Sequence, residues 1–322
     1  MCIFMFIHIN ILMFIRIFIP ILFTIIIDIE TLVMYTILNI ISIHIHIHWK
    51  GEFILKIVSF AAIKGGVGKT TLLYNFGEWL AAKGHSVLMI DGDHQSSLSQ
   101  TYDYFRLEGT IANVFDRRTK EKVEIVSIKE NLDLILSSLH LEELQDDVAT
   151  VSNKEMMFFM WFNDNIQRMK KYEYILIDCH PDFGTVTKNY VVASDVIFSP
   201  IEPSKYGMSS RDSLNIRYER FQESLIDPFT RESFVTAKRY FLSNKIRHNT
   251  ASSRDFKEVT SELEGVVAHI PFSEKFNKSV LDLKPLVEMK DDKQYNRTPS
   301  DRKFFEEVEQ IFTIMKAKVD EE

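Results

Sequence analysis

Short apolar runs, each followed by a polar or glycine-rich segment, recur along the chain from residue 56 onward. The run at residues 56–63 precedes a glycine-rich segment and then apolar residues at helical spacing, which predicts a buried strand, a loop and a helix ending near Gly84. The other runs with strand character are residues 86–90, 174–178, 195–201, 239–243 and 265–270. Because helical stretches separate these runs, we expect an α/β fold, a mostly parallel twisted sheet with helices on both faces.

The first 54 residues follow a different pattern. Eighteen of the first 48 residues are Ile. Residues 2–27 are long and apolar enough to cross a bilayer, which takes ~20 residues. However, Arg16 would then lie mid-span, at a cost of roughly 2.5–3.5 kcal/mol.

The Ile-His alternation at residues 43–48 is what an AT-rich repeat encodes when it is read in frame. Residues 50–52 can be encoded by a purine run like a bacterial ribosome-binding site. Leu55 follows two codons later, and a TTG start codon would encode Leu at this position. We therefore expect residues 1–54 to be a non-native extension and residues 55–322 to be the functional domain. A genuine membrane anchor is the alternative, and a metal site at the three alternating histidines, His44, His46 and His48, is a further hypothesis.

Composition narrows the functional classes. The 322-residue chain has a net charge of -7 and a pI of about 5.9, so any nucleic-acid-binding surface must be a local patch. Cys2 and Cys179 are the two cysteines of the sequence, which excludes a disulfide framework and fits a reducing compartment.

The segment after the first apolar run has the composition of a phosphate-binding loop. Three glycines let successive backbone N–H groups face an anion, and the following helix directs its positive end to the same place. Lys69 is placed to reach the β- and γ-phosphates, and the Thr70 hydroxyl is placed to ligate Mg²⁺. The general motif would need Gly at position 63, where this chain has Ile. The predicted nucleotide contacts in this loop are Lys64, Gly65, Gly66, Val67, Gly68, Lys69, Thr70 and Thr71.

The run Lys-Gly-Gly-Val-Gly-Lys-Thr resembles the deviant Walker A motif of the ParA/MinD ATPases, and the chain is most similar to the compact, Soj-like ParA type. The resemblance implies a P-loop NTPase fold, ATP hydrolysis, and a homodimer that sandwiches ATP. In that dimer the extra lysine, Lys64, would reach the phosphates bound by the partner, as an arginine finger does.

Acidic residues follow two of the predicted strands, where ligands bind in open α/β sheets. By the resemblance, Asp93 orients the attacking water, and Asp91, Asp178 and Thr70 form the Mg²⁺ shell. The chain has His94 where the family has Pro. The segment 179–184 departs from the family pattern as well, at His180 and Asp182.

The resemblance also assigns adenine contacts to Asn244 and Pro271, which follow later strands. An Asn at a strand end is often a turn residue only.

A cluster of positive charge occupies residues 238–257, where six basic residues face one acidic residue, Asp255. Such a stripe suits sequence-independent DNA binding, and a solvated charged face is the alternative. The predicted DNA contacts are Lys238, Arg239, Lys245, Arg247 and Arg254.

The stretch at residues 303–318 has an apolar stripe and an acidic polar face, which anionic lipid repels. We expect this helix to pack on the domain's own core, so membrane binding in the MinD manner is not favoured.

The sequence therefore predicts a cytoplasmic, nucleoid-associated ATPase of DNA partitioning, acting as a dimer on non-specific DNA and stimulated by a ParB-like partner. A MinD-like membrane-associated positioning ATPase and a metabolic enzyme that phosphorylates or amidates a small molecule are the alternatives.

Overall fold

The computed structural model describes residues 55–119, 121–247 and 250–322, with the side chains of Asp146 and Ala251 left out. Residues 1–54 lie outside this range, and with them the predicted extension, the anchor alternative and the histidine metal site.

Eight strands in the described residues form one sheet in the order β3-β4-β2-β5-β1-β6-β7-β8. All neighbouring pairs are parallel except β3 with β4. The strands are β1 (Lys56–Phe60), β2 (Val87–Gly92), β3 (Val126–Lys129), β4 (Leu132–Ile135), β5 (Tyr174–Cys179), β6 (Val196–Ile201), β7 (Lys238–Ile246) and β8 (Val266–Pro271).

Helices cover both faces of this sheet. They are α1 (Lys69–Ala82), α2 (Ser97–Thr101), α3 (His140–Ala149), α4 (Met157–Asp164), α5 (Ile166–Met169), α6 (Thr185–Ala193), α7 (Lys205–Ser224), α8 (Ala251–Ser261), α9 (Glu274–Leu281), α10 (Leu286–Met289) and α11 (Pro299–Asp320), with a 3₁₀ helix at Ile111–Val114.

Alternate residues of the central strands feed two separate apolar layers. Ile57 and Ile175 pack into one layer with α4, α6 and α7, whereas Val58 and Leu176 pack into the other with α1 and α11. Because both faces are covered, the central strands are apolar at successive positions rather than at every second one. This confirms the predicted α/β fold, and the six predicted strands are present with shifts at their ends.

The C-terminal helix α11 belongs to the second apolar layer. Its stripe is buried, as expected, with Phe312 1% exposed and packed against Phe76 and Trp79 at ring-centroid distances of 5.6 and 5.9 Å. A capping box at Thr298, with Asp301 at the third helical position, fixes where the helix begins. Among the described residues, no helix combines the length and apolar character needed to cross a bilayer.

We expect Phe312→Ala to lower the free energy of unfolding by roughly 3–5 kcal/mol, because it opens a cavity between α11 and α1. Ile314→Ala on the same helix is the matched control, since Ile314 is 42% exposed and its truncation should stay within about 0.5 kcal/mol. Urea unfolding of both variants measures the difference, and equal values for the two would contradict the packing of α11.

Candidate nucleotide-binding site

The loop between β1 and α1 is shaped by glycines with positive φ. Gly66 has φ 74° and Gly68 has φ 95°, conformations that residues with a Cβ rarely adopt. Gly68 precedes α1 and offers no side-chain cap, so the first amides of the helix are left for a ligand. A Cβ at Gly68 would also lie 2.7 Å from Asn244 Nδ2. The loop therefore has the open amide cradle that an anion requires.

The first residues of α1 meet the end of β5 beside this cradle. The Thr70 hydroxyl donates to Asp178 Oδ2 at 2.6 Å, and Lys69 is buried. The second carboxylate oxygen, Asp178 Oδ1, is buried and has no hydrogen-bond partner among the described residues. A hydroxyl and a carboxylate with a free oxygen are the hard donors that Mg²⁺ takes beside nucleotide phosphates, so these residues fit a magnesium nucleotide.

Asp91 lies on β2 directly opposite Asp178 of β5 in the strand register. Its Oδ2 accepts hydrogen bonds from both the amide and the hydroxyl of Ser99 at 2.7 Å, and its Oδ1 accepts from the Asp93 amide at 3.3 Å. Both oxygens are therefore occupied in holding the loop after β2. Ser99, which the sequence did not single out, fixes this carboxylate.

Burial raises the pKa of Asp91 to about 7, and repulsion from Asp178 adds to the effect against the hydrogen bonds of Ser99 and Asp93. Burial likewise raises the pKa of Asp178 to about 6, although the Lys69 ammonium and the Thr70 hydroxyl oppose it. The two carboxyl groups thus share a site that is costly to ionise fully without a cation.

Asp93 stands at the start of the loop after β2, next to two histidines. Its Oδ1 lies 2.9 Å from His180 Nδ1 and 3.9 Å from His94 Nδ1, and it accepts from the Gln95 amide at 3.0 Å. The two imidazole rings lie 4.2 Å apart between centroids. The two departures from the family pattern at positions 94 and 180 therefore meet around the predicted water-orienting residue.

The chain turns into this loop at Gly92, which packs too closely for any side chain. A Cβ there would lie 2.6 Å from the Tyr190 ring and 2.8 Å from the Asp178 carbonyl oxygen. The end of β2 is consequently fixed against α6 and β5.

Lys64 is held by a carboxylate that sequence reasoning missed. Glu202, just after β6, binds Lys64 Nζ at 2.9 Å and Lys245 Nζ at 2.6 Å. Burial pushes the pKa of Glu202 upward, but the hydrogen bonds from Lys245 and Lys64 outweigh it and the net pKa is lowered. The partners are 138 and 43 residues apart in the chain, so no local sequence signal links them.

The two predicted adenine contacts lie near the carboxyl ends of two neighbouring strands, β7 and β8. Asn244 Nδ2 donates to the Val67 carbonyl at 2.8 Å, so this side chain braces the glycine-rich loop. Pro271 ends β8 and lines a cavity of about 190 Å³ together with Arg247 and Arg254.

The predicted DNA contacts do not form one stripe in the structure. Lys238 and Arg239 start β7, about 26 Å by strand rise from its other end, where Arg247 follows. Arg239 also stacks on the Tyr218 ring at 4.1 Å and donates to the Asn215 carbonyl, so it is engaged within the domain.

The remaining basic residues lie near the carboxyl end of β7, on the side of the sheet where the glycine-rich loop lies. Lys245 points into the glycine-rich loop, where its Nζ contacts the Gly66 carbonyl at 2.6 Å. Arg247, Arg254 and Lys257 line the same 190 Å³ cavity, opposed by Glu307. Positive charge that is clustered in the sequence is thus divided between the two ends of β7.

Comparison with known proteins shows the family of the chain. The AAA-domain family AAA_31 matches residues 55–230, more than half of the chain. The chain belongs to the ParA/Soj family of P-loop ATPases. An uncharacterised protein of Methanocaldococcus jannaschii is 32% identical over 202 residues, which are 60% of this chain and 76% of that protein. The chromosome partitioning protein ParA of Caulobacter vibrioides is 29% identical over 184 residues, 53% of this chain and 65% of that protein, a little under two thirds of its length.

A solved relative shares the fold of this ParA/Soj-family chain. The plasmid partition protein of Borrelia burgdorferi bound to AMPPNP superposes with a TM-score of 0.65 at 22% identity, covering 82% of this chain and 99% of that one. That protein holds an ATP analogue on the same architecture.

We expect the buried carboxylate pair to make the nucleotide-free protein more stable as the pH falls. A raised pKa means that the folded state binds more protons than the unfolded state between about pH 4 and 7. This contribution is present at low pH and is lost as the pH rises through about 6–7. When the pH is lowered from 8 to 5.5, the free energy of unfolding of the wild type should rise by about 2 kcal/mol relative to that of Asp91→Asn. Denaturant unfolding at each pH measures this difference.

Asp212→Asn controls for the loss of one negative charge, because Asp212 is an exposed carboxylate. Parallel pH profiles for wild type and Asp91→Asn would show that Asp91 ionises normally in the folded state.

Proposed function

We propose that this protein is an ATP-dependent partitioning ATPase that dimerises on ATP, binds DNA without sequence preference, and hydrolyses ATP when a ParB-like partner stimulates it. The observation that carries the proposal is the coincidence of Lys64 and Lys69 around one glycine cradle that is closed by Thr70 and Asp178. The family and the partitioning relatives support it.

Within one subunit, the chain's own residues bind and orient the triphosphate. The amide cradle and Lys69 neutralise phosphate charge, and Thr70 with Asp178 holds Mg²⁺, which when bound stabilises the charge on the phosphate oxygens. Asp93, which is buried beside His180, accepts a hydrogen bond from the water that attacks.

Dimerisation in this proposal depends on releasing Lys64. Its side chain is 39% exposed and its ammonium is bound to Glu202, so this ion pair lies on the surface of the subunit rather than in the core. A second triphosphate brought close by a partner subunit carries more negative charge than Glu202 and competes for the lysine. Glu202 then keeps Lys245, so this carboxylate retains one of its two cationic partners.

Three substitutions separate nucleotide binding, dimerisation and turnover. Lys69→Ala should lose nucleotide binding, and Lys64→Ala should bind ATP but remain monomeric. Asp93→Ala should form ATP-bound dimers whose turnover falls by about 10²-fold or more, because the attacking water loses its acceptor. Binding of a fluorescent ATP analogue, light scattering and phosphate release measure the three properties.

Normal turnover by Asp93→Ala would contradict the role given to this carboxylate. ATP-dependent dimers of Lys64→Ala would contradict the role of Lys64 across the dimer.

The DNA-binding part of the proposal rests on the cavity at the end of β7. Arg247 and Arg254 are exposed there, and Ser253 lines the same cavity, where its Oγ accepts a hydrogen bond from the Arg247 amide at 3.1 Å. Guanidinium groups and a hydroxyl around one cavity suit a backbone phosphate, and sequence-independent DNA binding relies on phosphate contacts.

We expect Arg254→Glu to lower the affinity for DNA and to reduce the salt slope by roughly one unit for each phosphate that is no longer neutralised. Lys238→Glu is the matched control, since it makes the same charge change at the opposite edge of the sheet and should have little effect. Fluorescence anisotropy with random-sequence duplex DNA, at several salt concentrations and with ATP present, measures both.

Equal reductions in affinity for the two variants would mean that net charge, rather than this cavity, governs binding. Absence of ATP-dependent DNA binding in the wild type would leave the small-molecule enzyme as the better account of this ATPase.

A further inference from the structure

Two histidines beside Asp93, neither of which has a role in the proposed ATPase mechanism, form a set of possible metal ligands together with it. Among the described residues, Asp93, His94 and His180 each offer one ligand atom, and these atoms all lie within 4.8 Å of one another. A tetrahedral ion with bonds of about 2.0–2.1 Å separates its ligand atoms by about 3.3 Å. Small side-chain rotations would therefore bring the three atoms into one coordination shell.

A second observation points to a ligand at the same place. The His94 side chain is 9% exposed, and its Nδ1 is buried with no hydrogen-bond partner among the described residues. Leaving a buried polar nitrogen unpaired costs about 1–3 kcal/mol. The nitrogen lies 3.9 Å from Asp93 Oδ1, too far for a hydrogen bond and suitably placed for an ion between them.

The chemistry of the donors selects the class of ion. Mg²⁺ prefers an all-oxygen shell, whereas two imidazoles with one carboxylate suit Zn²⁺, Co²⁺ or Ni²⁺. Two histidines and one carboxylate form the three-ligand type of zinc site that keeps a position open to water.

We propose that Asp93, His94 and His180 bind a divalent transition-metal ion, with Zn²⁺ as the preferred ion, and that the bound ion inhibits ATP hydrolysis. A carboxylate oxygen that binds the ion no longer accepts a hydrogen bond from the attacking water. The inhibitory clause rests on the proposed role of Asp93, whereas the metal site stands on the geometry of the three side chains.

Binding is tested on the full chain without nucleotide or Mg²⁺, with Co²⁺ as the probe. Every sample carries His8→Ala, His44→Ala, His46→Ala and His48→Ala, which removes the four histidines that precede residue 55. We expect one equivalent of Co²⁺ to give a visible absorption band that Zn²⁺ abolishes and excess Mg²⁺ does not.

His94→Gln and His180→Gln should each lose this band, whereas His85→Gln should keep it. His85 is the matched control, because it precedes β2 at the opposite edge of the sheet and pairs with Glu173. Thermal unfolding reports whether each variant is folded, and His94→Pro, which restores the residue of the family, replaces any variant that is not. A Co²⁺ band that survives in folded His94 variants would contradict the proposed metal site. The absence of a band in the parent protein, which retains His94 and His180, would contradict it as well.

The consequence is tested by phosphate release with Mg²⁺ and ATP present. Stoichiometric Zn²⁺ should remove most of the turnover of the parent protein, a chelator should restore it, and His94→Gln should be insensitive. Normal turnover by Asp93→Ala together with a retained Co²⁺ band in the parent would refute the inhibitory clause and leave the metal site intact. Stimulation by Zn²⁺ would also refute inhibition.

Discussion

The candidate site is organised around two carboxyl groups that are buried at the ends of two adjacent strands. Asp91 and Asp178 face each other across β2 and β5, both fully buried, with the ammonium of Lys69 nearby as counter-charge. Their raised pKa values show that this compensation is incomplete. A divalent cation at this place would complete it, so the ends of β2 and β5 fit a magnesium nucleotide. The hydroxyl of Thr70 and the amides of Ser99 and Asp93 hold the two carboxylates in place by hydrogen bonds.

Much of the fold follows from the sequence because the central strands carry their own signal. Runs such as those of β2 and β5 are apolar at successive positions, which a sheet covered on both faces requires. The edge strand β3 gave no such signal, since its four residues are only partly buried or exposed and two of them are polar. The phosphate loop was equally readable, because its glycines, lysines and threonine are contiguous in the chain.

The parts of the site that could not be predicted join residues that are far apart in sequence. Glu202 holds Lys64 across 138 residues, and His180 reaches Asp93 across 87. The basic residues at 238–257 show the opposite case. They are neighbours in sequence, but an extended strand carries its two ends to opposite edges of the sheet. Proximity along the chain therefore predicts proximity in space well within a tight loop and poorly along a strand.

Gly92 limits how this ATPase can diversify. With the Tyr190 ring and the Asp178 carbonyl within 3 Å of any added carbon, position 92 tolerates no side chain, and the backbone leading to Asp93 is anchored. Positions 94 and 180 flank the same carboxylate without that constraint. Evolution could therefore retune the chemistry beside Asp93 there without moving the carboxylate itself, and this chain differs from the family pattern at both positions.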